Sequence, residues 1–366
     1  MQLKSKLTIL LFLLTIFGFS AAHFLLPDGD ISASERRKLA QAPELSATTV
    51  LNGKYGTDLE KYLLDQFPLR DGLRSLKAHW QFDIYRLQDN NGLYVVDGSI
   101  CKLDKDLKEP QVSAAISNTN GIYEKYLQGM NVWFALLPDK NYFAAQPNGY
   151  PSLDYGRMDA LLSEGLNENI SYLGMAPFGQ LTLEDYYNTD LHWRQERLES
   201  VVAGLSSSMG FAMPDFQSYI QTEYAPFHGA YYGQSALYPP ADTLVTLSNP
   251  TIDGSVVTGV EFSGEKAVYD PSDLDNTDLY DLYLSGPQAI VTVTNPNGTT
   301  GKELILFRDS FGSSLAPLLL DSYDTITLVD MRYVTTALLE QYLSFEDQDV
   351  LFLYNTSLVN SGLLLK

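Results

Sequence analysis

The N-terminal residues form a strongly apolar stretch that follows two positive charges. An apolar run extends from Leu7 to about Leu26, directly after two lysines. This order of charge and hydropathy is typical of a secretory signal, and the run is long enough to cross ~30 Å of hydrocarbon. The tripeptide Ser20-Ala21-Ala22 offers a small-residue cleavage site. Residues 1–26 are therefore predicted to export the chain, either as an uncleaved membrane anchor or as a cleaved signal peptide.

The next stretch changes from a polar tether to a helical pattern. Residues 27–50 are polar and mixed, with scattered Pro and Ser, which predicts a linker. Between residues 54 and 89 apolar side chains recur at intervals of three and four, which predicts helices. The dipeptide Phe67-Pro68 interrupts this pattern and should separate two helices.

Further along the chain, extended and helical patterns alternate. Residues 132–137 are continuously apolar, as expected for a strand that is buried on both faces of a parallel sheet. The predicted strands are 93–96, 132–137, 170–173, 304–307, 325–328 and 350–354, and the predicted helices are 111–130, 157–166, 313–320 and 336–343. This alternation predicts an α/β fold with a doubly wound, mostly parallel sheet and helices on both faces.

Residues 211–300 have a different character. They are rich in Tyr, Gly, Pro, Asp and Thr, and the stretches 243–247, 256–262 and 289–294 alternate apolar with polar side chains. Such alternation is typical of half-buried strands. We therefore predict a β-rich insertion within one domain that spans residues 51–366.

Composition excludes several classes of function. The chain of 366 residues has a formal net charge of −21, so it lacks the clustered Lys and Arg that nucleic acid binding requires. A single cysteine, Cys101, excludes an intramolecular disulfide and a multi-Cys zinc site. The four histidines lie far apart and show no paired-ligand spacing, so we predict neither a metal nor another cofactor.

One serine directly follows a predicted strand. The strand 304–307 runs into Arg308-Asp309-Ser310-Phe311-Gly312 and then into a predicted helix. Open α/β sheets hold reacting groups beyond the carboxyl ends of their strands. There the hydroxyl of Ser310 would lie at the rim of the sheet, with its own N–H aimed at an oxygen bound near the helix start. Ser310 is thus a candidate nucleophile, and the alternative is an ordinary helix N-cap.

A second segment could supply the base that such a serine needs. Asp190 and His192 are two residues apart, which places both side chains on the same side of an extended segment. An imidazole can take the proton of a serine, and it does so best when a carboxylate holds its other nitrogen. The alternative is a pair of surface side chains beside Trp193 as an anchor in the core.

Six short stretches occur in an order shared with a known family. They are 65–71 (DQFPLRD), 137–140 (LPDK), 187–193 (YNTDLHW), 227–232 (FHGAYY), 308–312 (RDSFG) and 330–333 (DMRY). Together they span roughly residues 55–366, and they resemble the DHHW proteins, relatives of the alginate O-acetylation proteins in the SGNH hydrolase-like superfamily. The Asp-His-His-Trp motif for which the family is named reads Asp190-Leu191-His192-Trp193 here, so its first histidine is replaced by leucine.

The resemblance implies an SGNH hydrolase-like (flavodoxin-like) fold and a catalytic triad. In that triad Ser310 is the nucleophile, His192 the base and Asp190 the group that orients the base. Other candidates for substrate binding or oxyanion stabilisation are Lys140, Arg308, Arg332 and Trp193; for Lys140 and Arg332, each at the end of a predicted strand, the alternative is a solvated side chain. The second oxyanion donor remains unassigned.

The resemblance also implies a function outside the cytoplasm. It predicts an enzyme that transfers or removes an acyl group, most simply acetyl, on a cell-surface polysaccharide, beside a membrane-bound acyl-exporting protein. The alternative from another class is a catalytically inactive protein of the same fold that binds polysaccharide or serves as an assembly scaffold.

Overall fold

A computed structural model describes residues 3–364 of the chain. Within them the chain divides into two compact units. The first unit comprises residues up to 91 together with 232–238, and the second comprises 92–231 together with the residues from 239 onwards. Residues 1–2 of the predicted N-terminal segment and residues 365–366 of the predicted domain lie outside the described residues.

The first unit is mostly helical. Its helices and strands are α1 (Leu3–Leu25), β1 (Ile31–Ser32), β2 (Arg37–Lys38), α2 (Ala47–Leu51), α3 (Lys54–Asp65) and α4 (Arg70–His79). Helix α1 is long and apolar enough to cross a membrane, a property that it shares with signal sequences. The two helices expected on either side of Phe67-Pro68 are α3 and α4. The predicted linker 27–50 is partly structured, because β1 and β2 pair there as a short antiparallel hairpin.

The second unit is built on an eight-stranded sheet. The strands of the whole unit are β3 (Leu93–Val96), β4 (Ser99–Lys102), β5 (Val132–Leu137), β6 (Ser171–Gly174), β7 (Ile220–Phe227), β8 (Asp242–Ser248), β9 (Val256–Gly259), β10 (Lys266–Ala267), β11 (Ile290–Thr294), β12 (Glu303–Arg308), β13 (Thr325–Val329) and β14 (Asp349–Asn355). The large sheet has the order β10-β9-β11-β13-β12-β14-β5-β6. Strands β13, β12, β14, β5 and β6 pair in parallel, whereas β10, β9 and β11 add an antiparallel edge.

Helices cover both faces of this sheet. The helices that follow α4 in the chain are α5 (Glu109–Ile122), α6 (Lys140–Ala144), α7 (Tyr155–Gly165), α8 (Glu199–Met209), α9 (Ala230–Ser235), α10 (Pro250–Asp253), α11 (Phe311–Leu315) and α12 (Thr356–Ser361). On β12, Leu304 and Leu306 pack into one hydrophobic cluster with α8 and α11, whereas Ile305 and Phe307 pack into another with α5, α7 and α12. The predicted α/β fold with a large, parallel-rich sheet and an N-terminal apolar helix is confirmed.

Two details of the prediction differ from the structure. Three strands of the 211–300 segment, β9, β10 and β11, belong to the large sheet, and only β7 and β8 form a separate hairpin. Alternation of apolar and polar residues identifies a half-buried strand but not its partner. The helix expected over 313–320 is α-helical only from Phe311 to Leu315 and continues as a 3₁₀ turn, which holds Pro317.

Candidate active site

Ser310 lies where β12 ends and α11 begins. It occupies the N-cap position of α11, but its side chain makes no capping hydrogen bond. Its hydroxyl instead lies 2.7 Å from Nε2 of His192. The alternative of an ordinary helix cap therefore does not describe this side chain. Ser310 is half-buried at the carboxyl edge of the parallel strands.

The turn that presents Ser310 is fixed by the residue before it. The carboxylate of Asp309 accepts hydrogen bonds from the main-chain N–H of Phe311 (3.1 Å) and of Asn355 (2.8 Å). Burial raises the pKa of Asp309, and the two N–H donors oppose that shift. Asp309 thereby joins the ends of β12 and β14, so the position of Ser310 is set by the sheet.

Asp190 and His192 lie on a tight loop between Tyr186 and Trp193, which form an isolated antiparallel bridge. The buried carboxylate of Asp242 anchors this loop through hydrogen bonds. It accepts hydrogen bonds from the N–H of Asn188 (2.9 Å) and from both the N–H (2.7 Å) and the hydroxyl (2.6 Å) of Thr189. These hydrogen bonds tie the loop to the start of β8.

The three side chains form one continuous relay. Oδ1 of Asp190 lies 2.6 Å from Nδ1 of His192, and Nε2 of the same ring lies 2.7 Å from Oγ of Ser310. An ionised carboxylate only accepts hydrogen bonds, so Nδ1 carries the proton and Nε2 presents its lone pair to the serine hydroxyl. Asp190 also accepts from the N–H of Ala230 (2.6 Å). This is the arrangement in which a serine can lose its proton to an imidazole.

Aromatic rings fix the plane of the imidazole. The ring of Tyr280 stacks on that of His192 with centroids 3.8 Å apart and an angle of 7° between the planes. Phe311 contacts the same imidazole at a centroid distance of 4.8 Å. The Tyr280 hydroxyl donates to Ser314 (2.9 Å), and burial raises the pKa of this phenol well above its usual range. Tyr280 is thus a neutral aromatic ring that lies flat against the imidazole of His192.

The remaining candidates from the sequence are placed differently. Trp193 is fully buried and donates to Ser314, so it anchors the loop and does not face a substrate. Arg308 is also buried, 3.7 Å from Asp330, and Arg332 hydrogen-bonds the same carboxylate. The expectation that Trp193 and Arg308 bind substrate is therefore corrected, because the fold encloses both side chains. Arg332 is half-buried and ion-paired with Asp330, and its role in substrate binding stays a prediction.

Lys140 requires the same correction. Its buried ammonium lies within hydrogen-bonding distance of four main-chain carbonyl oxygens, those of Ile100, Tyr187, Asn188 and Asp190. An ammonium has only three N–H donors, so none remains for an oxyanion or an acidic substrate. Burial lowers the pKa of Lys140 to about 8. Lys140 joins β4 to the loop that carries Asp190.

A small cavity adjoins the triad. It has a volume of about 90 Å³, and its lining includes Leu191, Phe311, Asn355, Asp139 and Tyr231. Two of these residues are direct neighbours of His192 and Ser310 in the chain. Among residues 3–364, no cluster of three or more His, Cys, Asp or Glu side chains is arranged to hold a metal ion.

The sequence did not identify several residues that build this site. Asp242 and Ala230 act through loops that are distant in the chain, and Tyr280 lies in a segment whose composition indicates only that it is rich in Tyr and in strands. The stretch 227–232 is among those that resemble the family, but the sequence alone does not explain why position 229 is a glycine. A Cβ at Gly229 would overlap Asp190 and the carbonyl of Thr189, so only glycine allows this close approach.

Comparison with known proteins gives one family match. The model of the family described as DHHW protein matches residues 181–329. A search of curated proteins finds no match.

Several solved structures resemble this fold. A DHHW family protein from Eubacterium siraeum is 19% identical, with a TM-score of 0.59 over 75% of this chain and 95% of that protein. Bacillus cereus PatB1 with a sulfonyl adduct is 15% identical, with a TM-score of 0.58 over 74% of this chain and 96% of PatB1. The O-acetyltransferase domain of Pseudomonas putida AlgJ is more distant, with 13% identity and a TM-score of 0.44 over 74% of this chain and 92% of that domain. The first two likenesses show a shared fold. The resemblance to the DHHW family that the motifs predicted is therefore confirmed for residues 181–329, the part of the chain that holds Asp190, His192 and Ser310.

Proposed function

We propose that this chain is a serine-dependent acyltransferase or esterase of the SGNH hydrolase-like kind. The observation that carries the proposal is the Asp190–His192–Ser310 relay, with hydrogen-bond distances of 2.6 Å and 2.7 Å. Loss of the family's first motif histidine to Leu191 leaves this relay complete. The orienting carboxylate, the imidazole and the hydroxyl are all contributed by described residues.

The chemistry follows from the relay in two steps. His192 takes the proton of Ser310 through Nε2, and Oγ attacks the acyl carbonyl of the donor. The tetrahedral intermediate collapses as His192 returns that proton to the leaving group, which forms the acyl-enzyme. A sugar hydroxyl or water then attacks the acyl group, gives its proton to His192, and releases Ser310 when the proton returns to Oγ. Transfer and hydrolysis differ only in the acceptor.

Two donors are proposed for the oxyanion. The first is the N–H of Ser310, which has no hydrogen-bond partner among residues 3–364. The second is the side-chain amide of Asn355, which lies at the end of the neighbouring strand and lines the cavity beside the triad. Such donors stabilise the charge that develops on the carbonyl oxygen.

The proposed substrate is a polysaccharide at the cell surface, and the proposed acyl group is acetyl. Similarity to the DHHW protein and to PatB1 supports the fold on which this proposal rests. The apolar helix α1 supports an extracytoplasmic location, with the enzyme held at the membrane or released after cleavage. A membrane-bound acyl-exporting protein is the proposed source of the acyl group.

Covalent labelling tests the proposal directly. A serine-directed fluorophosphonate should label the full-length protein, and Ser310→Ala should abolish labelling without lowering the melting temperature, because a rim hydroxyl contributes little to the core. The protein should also hydrolyse p-nitrophenyl acetate, and His192→Ala should reduce this rate at least ~10³-fold. Absence of labelling in the folded wild-type protein would favour the non-catalytic scaffold instead.

The Asn355 assignment has a separate test. Asn355 caps α12 by accepting from the N–H of Ser357 (2.9 Å), and serine can also cap a helix. Asn355→Ser should therefore keep the fold but lose the amide donor, with a fall in kcat of about 10²-fold for p-nitrophenyl acetate. An unchanged kcat would remove Asn355 from the oxyanion site.

A further inference from the structure

A groove opens at the carboxyl end of β6, away from the triad but along the same edge of the sheet. It has a volume of about 500 Å³, and its lining includes Tyr142, Tyr155, Gly156, Asp159 and Tyr172. Tyr142 is exposed, and the other two tyrosines are half-buried. The groove belongs wholly to the second unit and takes no part in the proposed chemistry.

The order of the strands relates the groove to the triad. The carboxyl ends of β12, β14, β5 and β6 follow one another, and they carry Ser310, Asn355, Asp139 and Gly174. At a spacing of about 4.8 Å between strands, the end of β6 lies roughly 14 Å from the end of β12. That separation suits a ligand of several sugar residues that reaches from one site to the other.

Asp139 connects the two sites. It lines the cavity beside the triad, and its Oδ1 accepts from the hydroxyl of Tyr155 (2.7 Å) and from the N–H of Tyr142 (3.0 Å). Both tyrosines line the groove. The two sites therefore share a wall.

The lining of the groove has the chemistry that sugars require. Tyrosine rings offer flat apolar faces with a polar tip, which suits the mixed surface of a pyranose. One oxygen of Asp159 accepts from Tyr172 (2.7 Å), and the other has no hydrogen-bond partner among residues 3–364, so it can accept from a sugar hydroxyl. Gly174, at φ +54°, makes room for this pair, since a Cβ there would lie 2.9 Å from Asp159.

Charge restricts the type of sugar. The groove is lined by one carboxylate and by no Lys or Arg, and the whole chain carries a net charge of −21. A uronic acid polymer would meet repulsion without a compensating cation. We propose that this groove binds successive sugars of a neutral glycan while the acylated residue lies at Ser310; the link to acylation rests on the function proposed above.

Binding to the inactive protein tests the groove apart from the chemistry. Full-length Ser310→Ala protein is mixed with neutral hexasaccharides (β-1,4-linked glucose, β-1,4-linked N-acetylglucosamine and α-1,4-linked glucose) and with a hexauronate, and affinity is measured by titration calorimetry and saturation-transfer NMR. We expect at least one neutral hexasaccharide to bind and the hexauronate to bind at least tenfold more weakly. Failure of every neutral hexasaccharide to bind, or tighter binding of the hexauronate, would overturn the proposal.

Two matched glycine variants locate the binding. Gly156 lies at the start of α7, where an added Cβ would meet only Oδ1 of Asp154, at 3.6 Å, so Gly156→Trp should fill the groove without disturbing the fold and weaken binding at least tenfold. Gly121→Trp, on α5, where an added Cβ would meet nothing within 4 Å, is the control and should bind as the parent does. Equal affinity of the two variants would place the glycan elsewhere. Wild-type hydrolysis of p-nitrophenyl acetate reports on the triad separately, so failure of the groove and failure of the proposed function remain distinguishable.

A second observation, in the first unit, carries an independent inference. Large apolar side chains recur along α4, along the turn of π-helix that follows it (Trp80–Ile84) and at the residues just outside the two ends, at intervals of three and four residues. These residues, the apolar stripe, are Leu69, Leu73, Leu76, Trp80, Ile84 and Leu87, and each is between 39% and 75% exposed. Soluble helices bury such a stripe against a core.

The position of α1 indicates what covers the stripe. The ring of Phe19 in α1 stacks on Phe67 at 5.3 Å, and His23 lies 3.3 Å from the carbonyl oxygen of Gln66. Helix α4 begins three residues after Phe67, so the stripe starts near the C-terminal end of the candidate membrane span. Away from the stripe, Arg70 and Arg74 pair with Glu35. We infer that the stripe lies in the bilayer interface beside α1, as amphipathic interfacial helices do.

Fluorescence quenching tests this inference. The chain has three tryptophans, of which Trp193 is fully buried and Trp80 is half exposed on the stripe. Full-length protein in phosphatidylcholine vesicles that contain 6,7-brominated lipid should show quenching that Trp80→Phe removes and Trp133→Phe retains. Equal quenching of the two variants, or none in the wild-type protein, would overturn the inference and leave a second copy or another protein as the cover of the stripe.

Discussion

The two units of this chain use their apolar residues in opposite ways. The second unit buries them: strands β5, β12 and β14 contribute side chains to hydrophobic clusters on both faces of the sheet. In the described part of the first unit, the buried apolar side chains are the small ones of Pro68, Ala78 and Ala236, whereas large ones such as Leu69, Leu76 and Trp80 are exposed. The second unit thus carries its own core, whereas the described part of the first unit leaves its large apolar side chains exposed, as the interfacial placement inferred above requires.

The largest expected effect concerns the core of the second unit. Phe352 is fully buried on β14 and stacks on Phe307 with centroids 4.5 Å apart. Phe352→Ala should lower the free energy of unfolding by about 3–5 kcal/mol, because it removes apolar contact and leaves a cavity. The matched change in the first unit, Leu76→Ala, should alter it by less than about 0.5 kcal/mol in detergent. Urea unfolding of the full-length protein measures both free energies. A large effect of Leu76→Ala would show that the first unit has a hydrophobic core of its own.

A pair of glycines should give the next largest contrast. At Gly229 an added Cβ would overlap Asp190, whereas at Gly72, in α4, it would meet nothing within 4 Å. Gly229→Ala should cost about 1–3 kcal/mol through overpacking and abolish fluorophosphonate labelling, since it displaces the carboxylate that orients His192. Gly72→Ala should be neutral or stabilise the helix by up to about 1 kcal/mol. Thermal melts and labelling measure both, and full labelling of the Gly229 variant would show that the loop adapts.

The sequence predicts local features of this chain better than contacts between residues that are distant in the chain. The ends of the strands that carry Ser310 and Asn355 can be predicted from the sequence, because a strand that is buried on both faces is an unbroken run of apolar residues. The pairing of Asp190 with His192 was predictable from their spacing, but their convergence with Ser310 came only from resemblance to a family. Lys140 was misread because a lysine at a strand end gives no sign that four carbonyl oxygens surround it. Asp242 and Tyr280 act across at least 53 residues of chain, a separation that no local pattern reports.

The motif at residues 65–71 acquires a structural reason from the first unit. Asp65 accepts two hydrogen bonds from Arg37, at 2.6 Å and 2.7 Å, and one from the N–H of Ala40 (2.9 Å). Gln66 accepts from the N–H of Gly29 (2.9 Å) and donates to the carbonyl oxygen of Ala40 (3.0 Å). These polar contacts, in place of a hydrophobic core, hold the short hairpin of β1 and β2.

The smallest expected effect therefore lies in this hairpin, and it depends on pH. Arg37 lowers the pKa of Asp65 to about 2 by donating hydrogen bonds to the carboxylate. Because this pKa is lower in the folded than in the unfolded chain, the stabilisation is fully present above about pH 4 and is lost as the pH falls through 2. Hydrogen exchange of residues 28–40, corrected for its intrinsic pH dependence, should be faster in Asp65→Asn than in the wild type at pH 5, by less than about tenfold because exposed ion pairs contribute at most about 1 kcal/mol. The difference should shrink in 1 M salt and vanish near pH 2, whereas exchange in β12 should not respond to the substitution. A difference that persists at pH 2 would mean that the introduced side-chain amide disturbs the hairpin by its shape, and that charge is not what holds the first unit together.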